Sequence, residues 1–383
     1  MCREKKNSNI FSRRNKLLFI VPLMIGFLIS FCVKPFFKKK IILVGGNLGR
    51  SFDDNAKYMY LFLKKKEEEY KVYWFQRDKV KLDRNIDRYL QIGSIRGYTL
   101  YFLSEVVFFS HSIDTDLCPL ATRVRFLQPF KVYLSHGVEG LKKRLDKKLE
   151  YADFYPCTNK FEYEIKNESW HIDKKKLAVT GIARYDGLMP QTTEKKVQTI
   201  LYMPTWREWY YGISKTDFLK TDFFEILKTI CTDKKLTFFL KNNNLKLIIR
   251  LHPFFEMYAD SLIKINKNDS VVYSSDDIST LVDESDLLIT DYSSVSWDFL
   301  YSNKPVIFFQ YDIDRFMEER GSYLEIPKDL FGVQITLVSE LRSAICDIVF
   351  KKIKFKKLRD NFFEFSDKQN CSRIFQETLD RED

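Results

Sequence analysis

The chain has 383 residues, 45% of them hydrophobic and 30% charged, with only 13 Gly and 10 Pro, which excludes a disordered, collagen-like or linker-rich protein. Its formal net charge is +11, but residues 1–40 alone carry ten basic side chains against one acid, leaving +2 on the other 343. The body therefore gives no nucleic-acid signal, and its length suggests two domains.

The seven cysteines (Cys2, Cys32, Cys118, Cys157, Cys231, Cys346, Cys371) are odd in number, scattered, and never spaced C-x-x-C. This argues against a disulfide framework or zinc cluster and fits a reducing compartment. No carboxylate pair has a metal spacing, so no metal site is expected.

From the amino terminus, Leu17 to Val33 is an uncharged run of 17 residues, lengthened by Phe36 and Phe37. Roughly 20 apolar residues span a bilayer, so a retained transmembrane helix is expected at about 17–37. No small-residue cleavage site follows it. Both flanks are basic, +5 before and +4 after, so charge alone leaves the orientation open.

After this anchor (1–40), short buried strands alternate with helical stretches, the pattern of an α/β protein. Strands are expected at 41–45, 71–75, 105–109, 131–135, 154–158 and 177–181, with a helix at 55–69. The polar stretch Met189–Gln198 reads as a linker. A second series follows at 199–203, 245–251, 270–273, 286–290 and 305–309, with helices at 223–240 and 294–302 and a helical tail from Ser339. The expected architecture is two parallel-sheet domains, 41–190 and 199–383, facing each other across a cleft.

Only four histidines occur. His136 follows a buried strand in Leu-Ser-His-Gly, where open α/β sheets present ligand-contacting groups, so it reads as a general base or a structural strand-end residue. Arg250 and His252 lie two apart in Arg-Leu-His-Pro. They form a phosphate clamp or a salt-bridged Arg beside a strand-end His. His111 and His171 have no such company and read as structural or surface residues. In Thr-Asp291-Tyr-Ser293-Ser294-Val-Ser296 a buried strand runs into a helix start, which makes an anion site or simply an N-cap. Tyr-Met-Pro-Thr-Trp-Arg207 ends another strand with an aromatic and a guanidinium. There is no Walker A loop, G-x-G-x-x-G, H-E-x-x-H or G-x-S-x-G, so metalloprotease and α/β-hydrolase readings are poor.

In this order the motifs resemble the CDP-glycerol glycerophosphotransferase family of teichoic-acid-type polymer enzymes. The set runs from Gly49–Asn55 through His136-Gly137, Gly181–Asp186, Tyr202–Arg207, Arg250–Pro253 and Asp286–Ser294 to Asp367–Ile374. The resemblance implies a GT-B-like fold of two Rossmann-like domains, the nucleotide being held mainly by the second. It implies transfer of a polyol phosphate from CDP-glycerol or CDP-ribitol to a hydroxyl of a lipid-linked acceptor in teichoic-acid or capsule synthesis. His136 would be the base, CMP the leaving group, and Arg207, Arg250, His252, Asp291, Ser293 and Ser294 the donor site, with no obligatory cofactor. Soluble CDP-polyol then places the body on the cytoplasmic side of the membrane. The alternatives are a glycosyltransferase using a UDP- or GDP-sugar and a catalytically silent membrane-bound binding protein. Ser135 and Val138–Lys142 depart from the family pattern around His-Gly, as Ala183 does before Arg184.

Overall fold

The structure, a computed structural model, describes residues 13–77, 83–144, 151–188, 196–266, 268–351 and 356–382. Most of the expected linker at 189–198 lies outside these residues. The chain forms two compact units: Met1–His136 with Lys148–Gly187 and Asp367–Asp383, and Gly137–Lys147 with Leu188–Ser366. This departs from the expected division in two places. The segment after His136 belongs to the second unit, and the C-terminal segment returns to the first.

The first unit is built on a parallel sheet of β1 (Lys40–Gly45), β2 (Tyr70–Gln76), β3 (Tyr89–Gln91), β4 (Val106–Phe109) and β5 (Phe130–Tyr133), in the order β3-β2-β1-β4-β5. Parallel sheets are covered on both faces, and the sequence shows it: four consecutive residues of β1, Ile41–Val44, are buried. Alternate residues serve opposite faces. Ile42, Val44, Trp74 and Phe108 pack under the helices Asp54–Lys64 and Asn370–Glu382, while Ile41, Leu43, Phe75 and Phe109 pack under Ile95–Leu103. A separate two-stranded sheet, β6 (Tyr155–Cys157) with β7 (Leu177–Val179), joins β5 through a Val132–Phe154 bridge.

The return of the C-terminal helix has a local cause. Asp186 Oδ1 accepts from the Asn370 N–H and side-chain amide, both at 2.8 Å, and Oδ2 from the Cys371 N–H at 2.9 Å. One carboxylate thus satisfies two of the open backbone donors of that helix's first turn. Gly181, with φ +76°, makes room: a Cβ there would lie 1.9 Å from Asn370 Oδ1.

The apolar N-terminal helix runs Arg13–Val33, and Leu18–Phe36 is long and apolar enough to cross a membrane. It is not a free-standing rod. Gly26 lets it press on the helix Ile95–Leu103, where a Cβ would come within 2.6 Å of Tyr98 Cβ. Phe27 meets Phe102 edge-on at 5.2 Å, and Ser30 is fully buried with its hydroxyl donating to Gly26 O at 2.9 Å. Leu18, Val21, Met24, Leu28 and Phe31 are exposed, so one side is docked and the other bare.

The second unit carries six parallel strands: β8 (Thr199–Tyr202), β9 (Lys246–Ile249), β10 (Val271–Tyr273), β11 (Leu287–Thr290), β12 (Val306–Phe309) and β13 (Val333–Ile335), ordered β10-β9-β8-β11-β12-β13. Ile200, Tyr202, Leu247, Ile249 and Ile289 share one face with the helices Asp222–Thr232 and Lys234–Asn242. These two were expected as one helix. Asp233 divides them, its carboxylate accepting from the N–H groups of Lys235 and Leu236. On the opposite face Trp297, Phe308, Phe331 and Phe362 form an aromatic cluster with rings 4.5 to 5.7 Å apart.

Candidate functional site

Ligands of open parallel sheets gather at the carboxyl ends of the strands, beside the point where strand order reverses. In the first sheet that point lies between β1 and β4, and in the second between β8 and β11. The candidate residues fall at both.

In the first unit His136 lies just past β5. Ser135 takes a left-handed backbone, φ 54°, which ends the strand, and His136 is exposed. The loop is held from below by Asn55, which is fully buried. Its amide donates to Ser135 O at 3.2 Å, and its Oδ1 accepts the Arg184 N–H at 3.0 Å. Arg184 Nη1 donates both to His136 O at 3.2 Å and to Asp54 Oδ1 at 2.9 Å. Two motif stretches, 49–55 and 181–186, thus meet to position the third. His111 at the end of β4 stacks on His136, with ring centroids 5.0 Å apart and planes 6° from parallel. Sequence reading set His111 aside as structural or surface. The available signal was that the two strands preceding these histidines are neighbours, which only strand order reveals.

In the second unit Arg207 is almost fully buried, and its charge is engaged on two sides. It makes a two-pronged contact with Asp312 at 2.6 and 3.0 Å, and Nη1 reaches Asp291 at 2.7 Å. Asp291 Oδ1 accepts from the N–H groups of Thr205 and Tyr292, which ties the ends of β8 and β11 together. The rings of Tyr292 and Tyr311 lie 5.3 Å from the guanidinium. Burial works against the charge on Arg207, but Asp291 and Asp312 outweigh it and hold the guanidinium protonated.

Arg250 is turned along the chain, paired with Glu256 and donating to Leu251 O at 3.1 Å. His252 is half-buried against Trp206, with centroids 5.6 Å apart and planes 26° from parallel. Burial, with the positive charges of Lys142 and Arg250, pushes its pKa down to about 4. It is therefore a neutral ring at pH 7. The Phe254 N–H donates to its Nδ1 at 3.3 Å, so the remaining proton sits on Nε2. His252 offers a hydrogen-bond donor without charge.

Ser293 Oγ accepts weakly from the Val295 N–H at 3.4 Å, and Ser294 stands at the N-cap of a seven-residue helix, Val295–Tyr301, without a side-chain cap bond. Gly137 approaches that serine so closely that a Cβ would meet Ser294 Oγ at 2.7 Å.

Beside Arg207 opens a cavity of about 240 Å³ lined by Lys142, Trp206, Arg207, Trp209, Phe316 and Arg320 among others. Lys142 and Arg320 were not among the residues singled out from sequence. Burial and the Arg320 charge lower the Lys142 pKa, and among the described residues Lys142 has no salt-bridge partner. Arg320 pairs with Glu208. Two indoles and three cationic side chains, Lys142, Arg207 and Arg320, share this concavity with Glu208 and Glu319, a lining that can take an aromatic base and a phosphate together.

A family profile described as CDP-Glycerol:Poly(glycerophosphate) glycerophosphotransferase matches residues 27–379. The chain is similar to the minor teichoic acid biosynthesis protein GgaB of Bacillus subtilis (strain 168), 27% identical over 358 residues that cover 86% of this chain and 38% of that protein. It is similar to a teichoic acid poly(glycerol phosphate) polymerase of Staphylococcus epidermidis, 25% identical, covering 77% of this chain and 44% of that protein. A teichoic acid glycerol-phosphate primase of Bacillus subtilis (strain 168) is 24% identical, covering 76% and 78%. The chain thus spans less than half the length of the first two relatives. Among solved structures, the wall teichoic acid polymerase TagF aligns with a TM-score of 0.69 at 18% identity over 99% of both chains, so the fold is α/β and GT-B-like.

Proposed function

The chain belongs to the CDP-glycerol:poly(glycerophosphate) glycerophosphotransferase family, and on that premise we propose that it moves glycerol phosphate or ribitol phosphate from a CDP-activated donor to a hydroxyl of a lipid-linked acceptor. The acceptor oxygen attacks the donor's β-phosphorus. The bond from that phosphorus to the bridging oxygen breaks, and CMP leaves with the electron pair. The acceptor proton passes to His136, an exposed imidazole at the carboxyl end of β5 with its loop braced by Asn55 and Arg184.

The observation that carries this reading is the cavity beside Arg207. Lys142 and Arg320 supply positive charge for the diphosphate from the cavity wall, and His252, stacked on Trp206 of that wall, adds an uncharged Nε2–H donor. Trp206 and Trp209 offer stacking surfaces for the cytosine. Arg207 and Asp291 act as the brace that shapes the wall, while Arg250 sets the charge around His252 through its place beside Glu256. Ser293 and Ser294 complete the donor side with hydroxyl groups. Fixed positive charge aimed at a leaving phosphate stabilises it without reorganisation at the moment of reaction.

The apolar N-terminal helix anchors the enzyme where a lipid-linked acceptor is presented, with the body on the cytoplasmic side that holds soluble CDP-polyol. Thermal shift against CDP-glycerol, CDP-ribitol, CDP, UDP-sugars and GDP-sugars tests the donor. Stabilisation by the cytidine compounds supports the proposal, and stabilisation by UDP- or GDP-sugars alone contradicts it.

A further inference from the structure

We propose that His111, stacked face to face on His136 and backed by the buried Asp116, is a positioning residue for the base: it fixes the plane of the His136 ring and takes the shared proton. The proposal rests on the transferase reading given above. The stacking follows from the sheet. β4 and β5 are parallel neighbours with Phe109 opposite Tyr133, so the residues just beyond both strands emerge side by side.

Asp116 is the foundation of the arrangement. It is fully buried at the end of the helix Ile113–Asp116, and its Oδ2 accepts from the N–H groups of Ser110 at 3.0 Å and His111 at 2.7 Å. Its Oδ1 accepts from the Leu48 N–H at 3.0 Å. Three backbone donors converge on one carboxylate, which locks it in place with Oδ2 3.7 Å from His111 Nδ1. Among the described residues, Asp54 and Arg184 are further charged groups near the pair, themselves bridged at 2.9 Å.

Burial disfavours a charge on His111, but the contact with Asp116 and its charge, with a smaller contribution from Asp54, outweigh it and raise the pKa. Two imidazoles stacked at 5.0 Å resist carrying two protons. A proton shared by the two rings is therefore favoured on His111, beside Asp116, which leaves His136 as the acceptor for the proton of the attacking hydroxyl. The parallel stack also stops the exposed His136 ring from sampling other rotamers.

The test uses the full chain in detergent with His111→Phe, which keeps a flat ring but no charge, and His111→Ala, which removes both. CMP release is followed against pH and donor concentration. The expected result is a kcat at least about tenfold lower in His111→Ala, with KM for the donor unchanged. In both variants the acid limb of the profile moves to higher pH, and His111→Phe retains more activity than His111→Ala. A merely structural role would lower kcat without moving that limb. An unmoved limb in His111→Phe overturns the charge argument, and unchanged kcat in His111→Ala overturns the proposal. Ring titration by NMR in the wild-type chain gives a readout apart from activity, and four histidines make assignment tractable. His111 taking its proton at higher pH than His136 supports the pairing, and the reverse order overturns it. Absence of CMP release by the wild type would sink the transferase reading instead, and the titration would still decide the pairing.

Discussion

Replacing Arg207 by Met asks whether this guanidinium is a brace. Arg207 is about 1% exposed in its side chain, and its partners Asp291 and Asp312 are 2% and 6% exposed. Methionine fills similar volume but leaves two buried carboxylates without their counter-charge. Breaking a buried pair from one side costs about 3–5 kcal/mol, because the remaining charge stays desolvated. The Asp312 carboxyl pKa is already raised by burial, with Arg207 opposing that rise, so Asp312 can relieve part of the penalty by taking a proton. The lower part of the range, about 3 kcal/mol, is therefore expected. For a unit of this size that corresponds to a melting temperature lower by roughly 6–12 °C. Urea unfolding of the intact chain measures it, with Asp312→Asn added in a double-mutant cycle. The double variant should recover about 1 kcal/mol or more, since one orphaned charge is gone. A loss below about 1 kcal/mol in Arg207→Met, the range of an exposed ion pair, would refute the brace.

Three further outcomes follow from the geometry. The depressed pKa of His252 means that its contribution to stability is present above the unfolded value near 6.5 and is lost as pH falls through about 4, so the urea midpoint should drop across that window and drop less in His252→Asn. Asp186→Ala removes three hydrogen bonds from the start of the helix Asn370–Glu382, and hydrogen exchange there should report about 1–3 kcal/mol less protection, whereas unchanged protection would contradict the capping. Gly26→Leu forces a side chain into Tyr98 and should release the N-terminal helix from Ile95–Leu103, read as faster exchange at 95–103; no change would mean the two helices do not pack in solution.

The strands were legible because parallel sheets bury both faces, so β1, β4, β11 and β12 each read as a near-continuous apolar run. The three-residue edge strands β3 and β13 were not, since neither carries such a run. Candidate residues stood out where a rare residue type follows a strand, as with His136, Arg207 and His252. What each would touch was hidden, because it depends on strand order and on segments far apart in sequence. The pairing of Asp186 with Asn370 spans 184 residues, and that of Arg207 with Asp312 spans 105. Lys142 stood only in a stretch noted for departing from the family pattern, and its place in the cavity beside Arg207 depends on segments far along the chain. The apolar N-terminal run announced a membrane-length helix, but its docking on Ile95–Leu103 through Gly26 depends on a helix far along the chain and was not legible.

The proposed transfer releases CMP from a CDP-polyol, with His136 as the base. The most direct measurement is CMP release by the purified full chain with CDP-glycerol or CDP-ribitol and a lipid-linked acceptor, beside His136→Ala. The account predicts acceptor-dependent release in the wild type and a loss of about 10²-fold or more in the variant. Wild-type rates in His136→Ala would contradict it.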